Sequence, residues 1–305
     1  MNRQLLSLTG LVREKQPLIH CITNYVTAGD VANIILACGG SPIMADHPEE
    51  AAEVTAMADC LLLNKGTPKE SSPAAMLKAG SEANRLNHPV ILDPVGIGVS
   101  RYRTMAVLSL LKEVKVTVIR GNASELRFLL NALTGPGNEE DLSSAPAGNT
   151  ERALSRGVDA SFSDQMTEKT LAALTETARA LSAMTGAVTV MTGTTDIVST
   201  WKETWLIKNG SPWLTRITGS GCMLDGIIAS YTAAAAGAAG SAAPRRVLFE
   251  AAALATAAAG LCGERAAKKT EEIHGGTGSF LCCFLNEVSC LEEHILKGGI
   301  NIEIP

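Results

Sequence analysis

Short β-rich runs alternate with longer helical patterns along most of the chain. The central runs are almost continuously apolar, as expected of strands that helices cover on both faces. This alternation is typical of a doubly wound α/β fold with a mostly parallel sheet. The predicted strands are residues 39–45, 59–66, 88–96, 114–122, 186–200 (a hairpin) and 204–210. The predicted helices are residues 2–15, 26–38, 48–58, 70–87, 101–112, 123–133, 167–185, 221–239, 244–267 and 277–297.

One stretch interrupts the alternation. Residues 134–152 are rich in Gly, Pro, Ser and acidic residues, which favours a surface loop or a disordered insert. A domain linker is the alternative, but the strand pattern resumes afterwards without a new start. We therefore predict one domain over residues 1–305, with a surface insert at 134–152.

Composition narrows the function classes. The 305-residue chain is 46% hydrophobic and has a net charge of −5, with scattered basic residues and few aromatics, which disfavours a nucleic-acid partner. Its eight cysteines form no CxxC pair, and the N-terminal stretch is too short and polar for a signal peptide. We expect a reduced, cytoplasmic protein. The apolar stretch at 226–243 is poor in Leu, Ile and Phe, which favours a buried helix over a membrane span.

Most predicted strands end in a polar or glycine-rich cluster, and ligands of open α/β sheets bind beyond such ends. In "VTVIRGNASEL", Arg120 and Asn122 lie at the strand end and Glu125 on the first turn of the next helix. Arginine matches phosphate oxygens with a fork of donors. Asn122 and Glu125 also fit a helix capping box, and capping can coexist with ligand binding.

"VILDPVG" places Asp93 at the end of an apolar strand. A carboxylate there is costly without a partner or a cation. Asp93 and Glu125 could together hold Mg²⁺, directly or through its waters. The alternative is that Asp93 only caps a turn.

"LTRITGSGCMLDG" precedes an Ala-rich helix. Gly219, Ser220 and Gly221 allow backbone N–H groups to converge on an anion at the helix N-terminus, although the spacing is not that of a Walker A loop. Cys222 follows on the first turn. A nucleophilic cysteine would need a base, and His20 and His274 are conceivable partners without motif context. A buried small thiol is the alternative.

Three further features each have a structural interpretation and a ligand-binding interpretation. "IHGGTGSF" at 273–280 is either a second phosphate loop or a plain helix start. Asn24 fits the N-cap of the helix that follows it. Met44, at a strand end, is either a core residue or a ligand contact.

Seven stretches together resemble the hydroxyethylthiazole kinases, a thiamine-salvage branch of the ribokinase-like superfamily. The resemblance covers nearly the whole chain apart from 134–152. The stretches occur in the family's order and approximate spacing: "HCITNYV", "GGSPIMAD", "LLLNKGT", "VILDPVGIG", "VIRGNASE", "TRITGSGCML" and "GGTGSF".

The resemblance implies a ribokinase-like three-layer α/β/α fold with a mostly parallel sheet. It implies transfer of the γ-phosphoryl of ATP to the hydroxyl of 4-methyl-5-(2-hydroxyethyl)thiazole with Mg²⁺, in a homotrimer with interfacial active sites. By position, Cys222 is the catalytic residue, where most ribokinase-like enzymes carry an aspartate base. The other implied roles are ATP binding by Arg120, Asn122 and Thr192, metal binding by Asp93 and Glu125, thiazole binding by Asn24, Val26, Met44, Gly66 and Gly219, and an anion hole at Gly219, Ser220 and Gly221.

One residue departs from the family pattern. Lys65 in "NKGT" stands where a branched apolar residue, usually Ile, is expected. A lysine there could contact a phosphate, form a salt bridge across an interface, or extend its ammonium to solvent.

Three other functions compete with the thiazole kinase. The first is a kinase for another small alcohol, such as the pyrimidine half of thiamine or a sugar, for which aspartate rather than cysteine is typical after G-x-G. The second is a hydrolase built on Cys222, which needs a histidine within hydrogen-bond reach. The third is a nucleotide-binding regulator without catalysis, which Asp93, Glu125 and Cys222 argue against.

Overall fold

The computed structural model describes residues 6–67, 69–135, 168–240 and 243–305. One nine-stranded sheet runs through the described chain in the order β2-β1-β3-β4-β5-β6-β7-β8-β9, parallel from β2 to β6 and antiparallel beyond. The strands are β1 Leu18–Ile22, β2 Ser41–Met44, β3 Cys60–Asn64, β4 Val90–Asp93, β5 Val118–Asn122, β6 Val188–Thr192, β7 Asp196–Ser199, β8 Thr204–Ile207 and β9 Ile302–Glu303.

Helices cover both faces of the sheet, so the predicted three-layer α/β/α fold is confirmed. One face is covered by α1 Leu8–Lys15, α2 Ala28–Cys38, α8 Ser220–Ala239, α9 Arg245–Glu272, α10 Thr277–Ser289 and α11 Glu293–Gly299. The other is covered by α3 Ala51–Met57, α4 Ser72–Leu86, α5 Arg101–Glu113, α6 Ala123–Thr134 and α7 Glu168–Thr185. Each face has its own core of buried apolar side chains, and strand residues alternate between the two cores.

The structure differs from the predicted elements at three places. Strand β1 was not predicted, because its five residues include the polar His20, although the strand is buried from Ile19 to Ile22. The two-residue edge strand β9 was also missed. The single predicted helix over 277–297 is two helices, because α10 ends at Ser289 and α11 begins at Glu293. The predicted insert at 134–152 lies, beyond Gly135, outside the described residues.

Helices α8 and α9 are long and apolar enough to cross a membrane by length and composition. In each, 78% of the apolar window is buried inside the fold. Alanines and glycines let the two helices pack closely against the sheet and each other. Both are therefore core helices, as the sequence predicts for the first of them.

The strand order reverses direction between β1 and β3. The connection from β1 goes through α2 to β2 on one side, and the chain then returns through α3 to β3 on the other. The loops at the carboxyl ends of β1 and β3 therefore diverge and leave a crevice, which is where open α/β sheets bind ligands. The N-terminus of α8 lies at this crevice, because Cys222 contacts Asn24 and Asn64 there.

Candidate active site

Two asparagines and a cysteine form the centre of the crevice. Asn24 Nδ2 donates to Asn64 Oδ1 at 3.0 Å, so the residue after β1 is joined to the last residue of β3. Both amides also donate to Cys222 Sγ, at 3.5 Å from Asn24 and 3.3 Å from Asn64. All three side chains are buried. The sulfur is thus an acceptor held by two amide groups at the switch point of the sheet.

Asn24 shapes its own loop in a different way from the predicted helix cap. Its Oδ1 accepts from the backbone N–H groups of Val26 and Thr27, both at 3.1 Å. Helix α2 begins at Ala28 with Thr27 at its N-cap position. The N-cap prediction for Asn24 was therefore wrong, because the side chain closes a turn before the helix and leaves Nδ2 free to reach Asn64 and Cys222.

Arg120 lies between two buried carboxylates. Its Nε and Nη2 donate to Asp225 Oδ1 and Oδ2, each at 2.7 Å, which is a bidentate pair. Nη2 also donates to Asp93 Oδ2 at 2.6 Å. Asp225 was missed at the level of sequence. Its signal is a carboxylate three residues after Cys222 on an otherwise apolar helical stretch, a spacing that puts both on one face.

One guanidinium shared by two carboxylates leaves excess negative charge. Burial raises the pKa of Asp93 well above its usual range. Arg120 offsets only part of this increase, and the nearby Asp225 adds to it. Asn64 Nδ2 donates to the same Asp93 oxygen as Arg120, at 2.8 Å. Asp93, Asp225 and Cys222 each bring one potential ligand atom within 4.8 Å of the others. The two carboxylates supply the hard oxygen donors that Mg²⁺ takes, whereas the thiol is a soft ligand that Mg²⁺ does not favour.

The remaining nitrogen of Arg120 faces the start of α8. Among the described residues, Nη1 has no hydrogen-bond acceptor. A Cβ placed on Gly221 would lie 2.7 Å from Nη1, so only glycine allows this approach. Gly219 has φ of +80°, and a Cβ there would lie 2.6 Å from Thr27 Cγ2. No side chain caps the first turn of α8. The backbone N–H groups of this turn and Arg120 Nη1 form a site suited to an anion.

Gly221→Ala is expected to lower kcat/KM for an anionic substrate bound at this turn by roughly 10-fold or more, because the methyl group displaces the Arg120 guanidinium from the α8 N-terminus. Gly237→Ala is the matched control, since Gly237 lies on the same helix with nothing within 4 Å of its added Cβ. The control should keep wild-type kinetics and gain about 1 kcal/mol of stability from helix propensity. Equal kinetics for both variants would contradict the close approach. Steady-state kinetics and urea unfolding provide the two measurements.

Asn122 and Glu125 form the predicted capping box at the start of α6. Asn122 Oδ1 accepts from Glu125 N at 2.9 Å, and Glu125 Oε2 accepts from Asn122 N at 3.0 Å. Glu125 Oε1 accepts from Gly96 N at 2.9 Å, which ties the "DPVG" loop to α6. Thr192 lies beside Asn122 in the parallel register of β5 and β6. The residues predicted to bind ATP are thus neighbours along one edge of the sheet.

Val26 and Met44 lie at the open side of the crevice. Val26 is 56% exposed and Met44 is 41% exposed, so these apolar side chains are not core residues in the single chain. Gly66 N donates to Asn64 Oδ1 at 2.9 Å, and a Cβ at Gly66 would lie 3.0 Å from Asn24 Nδ2. The five residues predicted for thiazole binding therefore lie at or just beyond the carboxyl ends of β1, β2 and β3 and at the start of α8, and Val26 and Met44 are open to solvent.

Neither candidate histidine partners Cys222. The buried His20 ring is bonded on both nitrogens, to Thr55 Oγ1 and to the Ala45 carbonyl, each at 2.8 Å. His274 is an exposed residue at the end of α9 with φ of +51°. The hydrolase hypothesis required a histidine at the thiol, and the contacts of Cys222 in the described chain are amides. The stretch "GGTGSF" contains the start of α10, which begins at Thr277 with Gly276 at its N-cap position.

The sheet order and the switch-point crevice are those of a ribokinase-like α/β/α fold, and the anion-facing start of α8 is suited to a phosphotransferase. A ribokinase-like superfamily protein from Enterococcus faecalis shares this fold with a TM-score of 0.54 at 13% identity, over 94% of this chain and 95% of that one. The chain belongs to the hydroxyethylthiazole kinase family, whose model matches residues 10–294.

Individual relatives agree with that membership. The hydroxyethylthiazole kinase of Clostridium acetobutylicum is 41% identical over 292 residues, which cover 96% of each chain. The structure of the hydroxyethylthiazole kinase protein from Pyrococcus horikoshii matches with a TM-score of 0.79 at 25% identity, over 100% of both chains.

Proposed function

We propose that this protein transfers the γ-phosphoryl group of ATP to the hydroxyl of 4-methyl-5-(2-hydroxyethyl)thiazole, for thiamine salvage. The observation that carries the proposal is that Cys222 Sγ lies beside an anion site at the first turn of α8. A hydroxyl acceptor beside a phosphoryl site is what an alcohol kinase needs. Family membership supports the particular alcohol.

The chain's own residues have separable tasks in this reaction. Cys222 Sγ accepts a hydrogen bond from the substrate hydroxyl and directs it toward the phosphoryl group. The first-turn N–H groups of α8 and Arg120 Nη1 bind the oxygens on which charge develops in the loose transition state. Asn122 and Thr192 contact the nucleotide at the neighbouring strand ends. Val26, Met44 and Gly66 bind the small apolar ring.

The donor set fits Mg²⁺. Asp93 would hold it, with Asp225 as a second oxygen donor that the sequence did not reveal and Glu125 binding its waters. Two carboxylates against one guanidinium leave a net negative charge that favours a cation. When bound with ATP, Mg²⁺ neutralises phosphate charge and orients the triphosphate.

Two wider proposals accompany the reaction. The exposed apolar side chains of Val26 and Met44 support a homotrimer in which a neighbouring subunit closes the thiazole pocket. Sedimentation equilibrium should then give three times the chain mass, and a monomer mass would exclude this arrangement.

All eight cysteines are free thiols, which supports a cytoplasmic location.

The decisive experiment is a product assay. Purified protein, ATP and Mg²⁺ are incubated with the thiazole alcohol, with the pyrimidine alcohol of thiamine, or with ribose, and products are resolved by chromatography and mass spectrometry. The proposal expects ADP and thiazole phosphate, abolished by omission of Mg²⁺. ADP formation only with another alcohol would assign the protein to a different acceptor, and no ADP above background would refute kinase activity.

Cys222→Ala is expected to lower kcat by about 10²-fold with little change in the KM for ATP, because the variant loses the acceptor of the substrate hydroxyl but keeps the phosphate site. Cys60→Ala is the matched control, since that buried thiol lies at the start of β3, at the other end of the strand from Asn64. Unchanged turnover in Cys222→Ala would remove the thiol from the mechanism. Nucleotide binding measured by calorimetry checks that the phosphate site is intact.

A further inference from the structure

Lys65 is one of the most deeply buried large side chains of the protein. It is only 2% exposed, although lysine is rarely buried without a partner. It follows directly on strand β3, and its neighbour Asn64 contacts Cys222 under α8. Lys65 instead lies against α4 and α5 on the opposite face of the sheet. Almost the whole length of the Lys65 side chain is therefore covered.

Nothing in the described chain neutralises this ammonium. Lys65 Nζ forms no hydrogen bond or salt bridge with any described residue, and the charged neighbour that acts on it is another cation, Arg103. The Arg103 guanidinium donates to the carbonyls of Lys65 and Val95, each at 3.2 Å, so it too faces no carboxylate there. Burial first, and then Arg103, lower the pKa of Lys65. An unpaired buried charge is costly unless an anion joins it.

Lys65 lines a cavity of about 240 Å³ between α4 and α5. This volume is far more than the ~30 Å³ that one water takes in the liquid, so the cavity has room for a small molecule. Its walls are mostly apolar, and no acidic residue is among them. The lining residues besides Lys65 are Pro73, Met76, Leu77, Tyr102, Met105, Ala106, Ser109 and Leu110. Half-exposed Tyr102 stands at the opening to solvent.

We propose that this cavity binds a small monocarboxylate with an apolar body, whose carboxylate pairs with Lys65 while its hydrocarbon part packs between α4 and α5. A single ammonium matches one negative charge, and the Ser109 hydroxyl is a further hydrogen-bonding group in the wall. A phosphate group would leave most of its oxygens without donors in these walls. The site is distinct from the kinase crevice, because Asn64 and Lys65 face opposite sides of the sheet.

Binding is tested by isothermal titration calorimetry without ATP or thiazole, so the result is independent of the proposed kinase reaction. The probes are butyrate, hexanoate, octanoate and benzoate, with hexanamide as the uncharged counterpart of hexanoate. We expect wild-type protein to bind at least one carboxylate and to bind hexanamide more weakly than hexanoate. Absence of binding by all four carboxylates, or equal affinity for hexanoate and hexanamide, would overturn the proposal.

Two variants assign the binding to Lys65. Lys65→Met keeps the length of the side chain without its charge and should weaken carboxylate binding by about 10-fold or more, while hexanamide binding is kept or improved. Lys69→Met is the matched control, because Lys69 is exposed in the same loop and pairs with Asp46. Thermal unfolding of Lys65→Met should occur at or above the wild-type temperature, since an unpaired buried charge is gone. Carboxylate affinity that is equal in wild type and Lys65→Met would refute the site.

Discussion

Replacement of Asp93 by asparagine is expected to lower kcat by roughly 10³-fold while the protein remains folded. Asp93 is fully buried, and one of its oxygens accepts from both Arg120 and Asn64. Asparagine keeps the shape of the side chain but removes the negative charge. That charge attracts Mg²⁺ and holds Arg120 beside the phosphate site. The loss should appear mainly in kcat and in the Mg²⁺ concentration that gives half-maximal rate, both measured by coupled ADP assays.

Asp46→Asn is the matched control for Asp93→Asn. Asp46 is an exposed carboxylate on the loop after β2 and pairs with Lys69, so its loss should leave kcat and the Mg²⁺ dependence unchanged. An Asp93→Asn enzyme with at least a tenth of wild-type turnover and an unaltered Mg²⁺ dependence would show that Asp93 only anchors Arg120. The metal proposal would then have to rest on Asp225 and Glu125.

Replacement of Arg120 by methionine is expected to destabilise the folded protein by about 3–5 kcal/mol near neutral pH. Arg120 is 5% exposed, and its guanidinium is paired with two buried carboxylates. Without it, Asp93 and Asp225 face each other in a buried site with no counter-charge. Urea unfolding of wild type and variant measures the change in the free energy of unfolding.

The pH dependence of this loss has a definite sign. The pKa of Asp93 is already raised by burial, and removal of Arg120 takes away the charge that lowers it. A carboxyl whose pKa is higher folded than unfolded loses stability as pH rises from the unfolded toward the folded value. Arg120→Met should therefore be closer to wild type at about pH 5 than at about pH 8. A loss that is independent of pH would show that the carboxylates are not its cause.

The double variant Arg120→Met with Asp225→Leu controls for lost packing. It removes both members of the bidentate pair and leaves Asp93 with two donors, the Asn64 amide and the backbone N–H of Val95. Replacement of a whole buried pair by apolar side chains is often neutral, so most of the stability should return. A double variant that is less stable than Arg120→Met alone would show that the methionine packs badly.

The same cluster explains why a cysteine is well suited to position 222. Its Sγ lies within 4.8 Å of carboxylate oxygens of Asp93 and Asp225. An aspartate at 222 would be the third carboxylate around one guanidinium, whereas the sulfur of Cys222 accepts hydrogen bonds from the side-chain amides of Asn24 and Asn64 without adding a third carboxylate. The thiol thus serves as a weak acceptor where the surroundings already carry excess negative charge.

Local signals in the sequence were sufficient for most of the fold. Helices α5 and α6 begin at their predicted starts, and the capping box of Asn122 and Glu125 needs only four consecutive residues. Strand β1 escaped because its polar His20 is satisfied by Thr55 and Ala45, partners that are distant in the chain. The predicted organisation of residues 1–305 as one domain with a surface insert stays a prediction.

The sequence by itself determined the fold class and the family and nominated several residues of the crevice, but not Asn64 or Asp225, because strand ends, glycines and caps are short-range patterns. Only the tertiary structure decided which of these residues contact each other and which charged side chains form ion pairs. Arg120 meets Asp225 across 105 positions, and Asn24 meets Cys222 across 198. The cavity at Lys65 likewise depends on how α4 and α5 pack over β3. Such pairings follow from sheet order and helix packing, which bring together side chains that are distant in the sequence. No short sequence pattern predicts them.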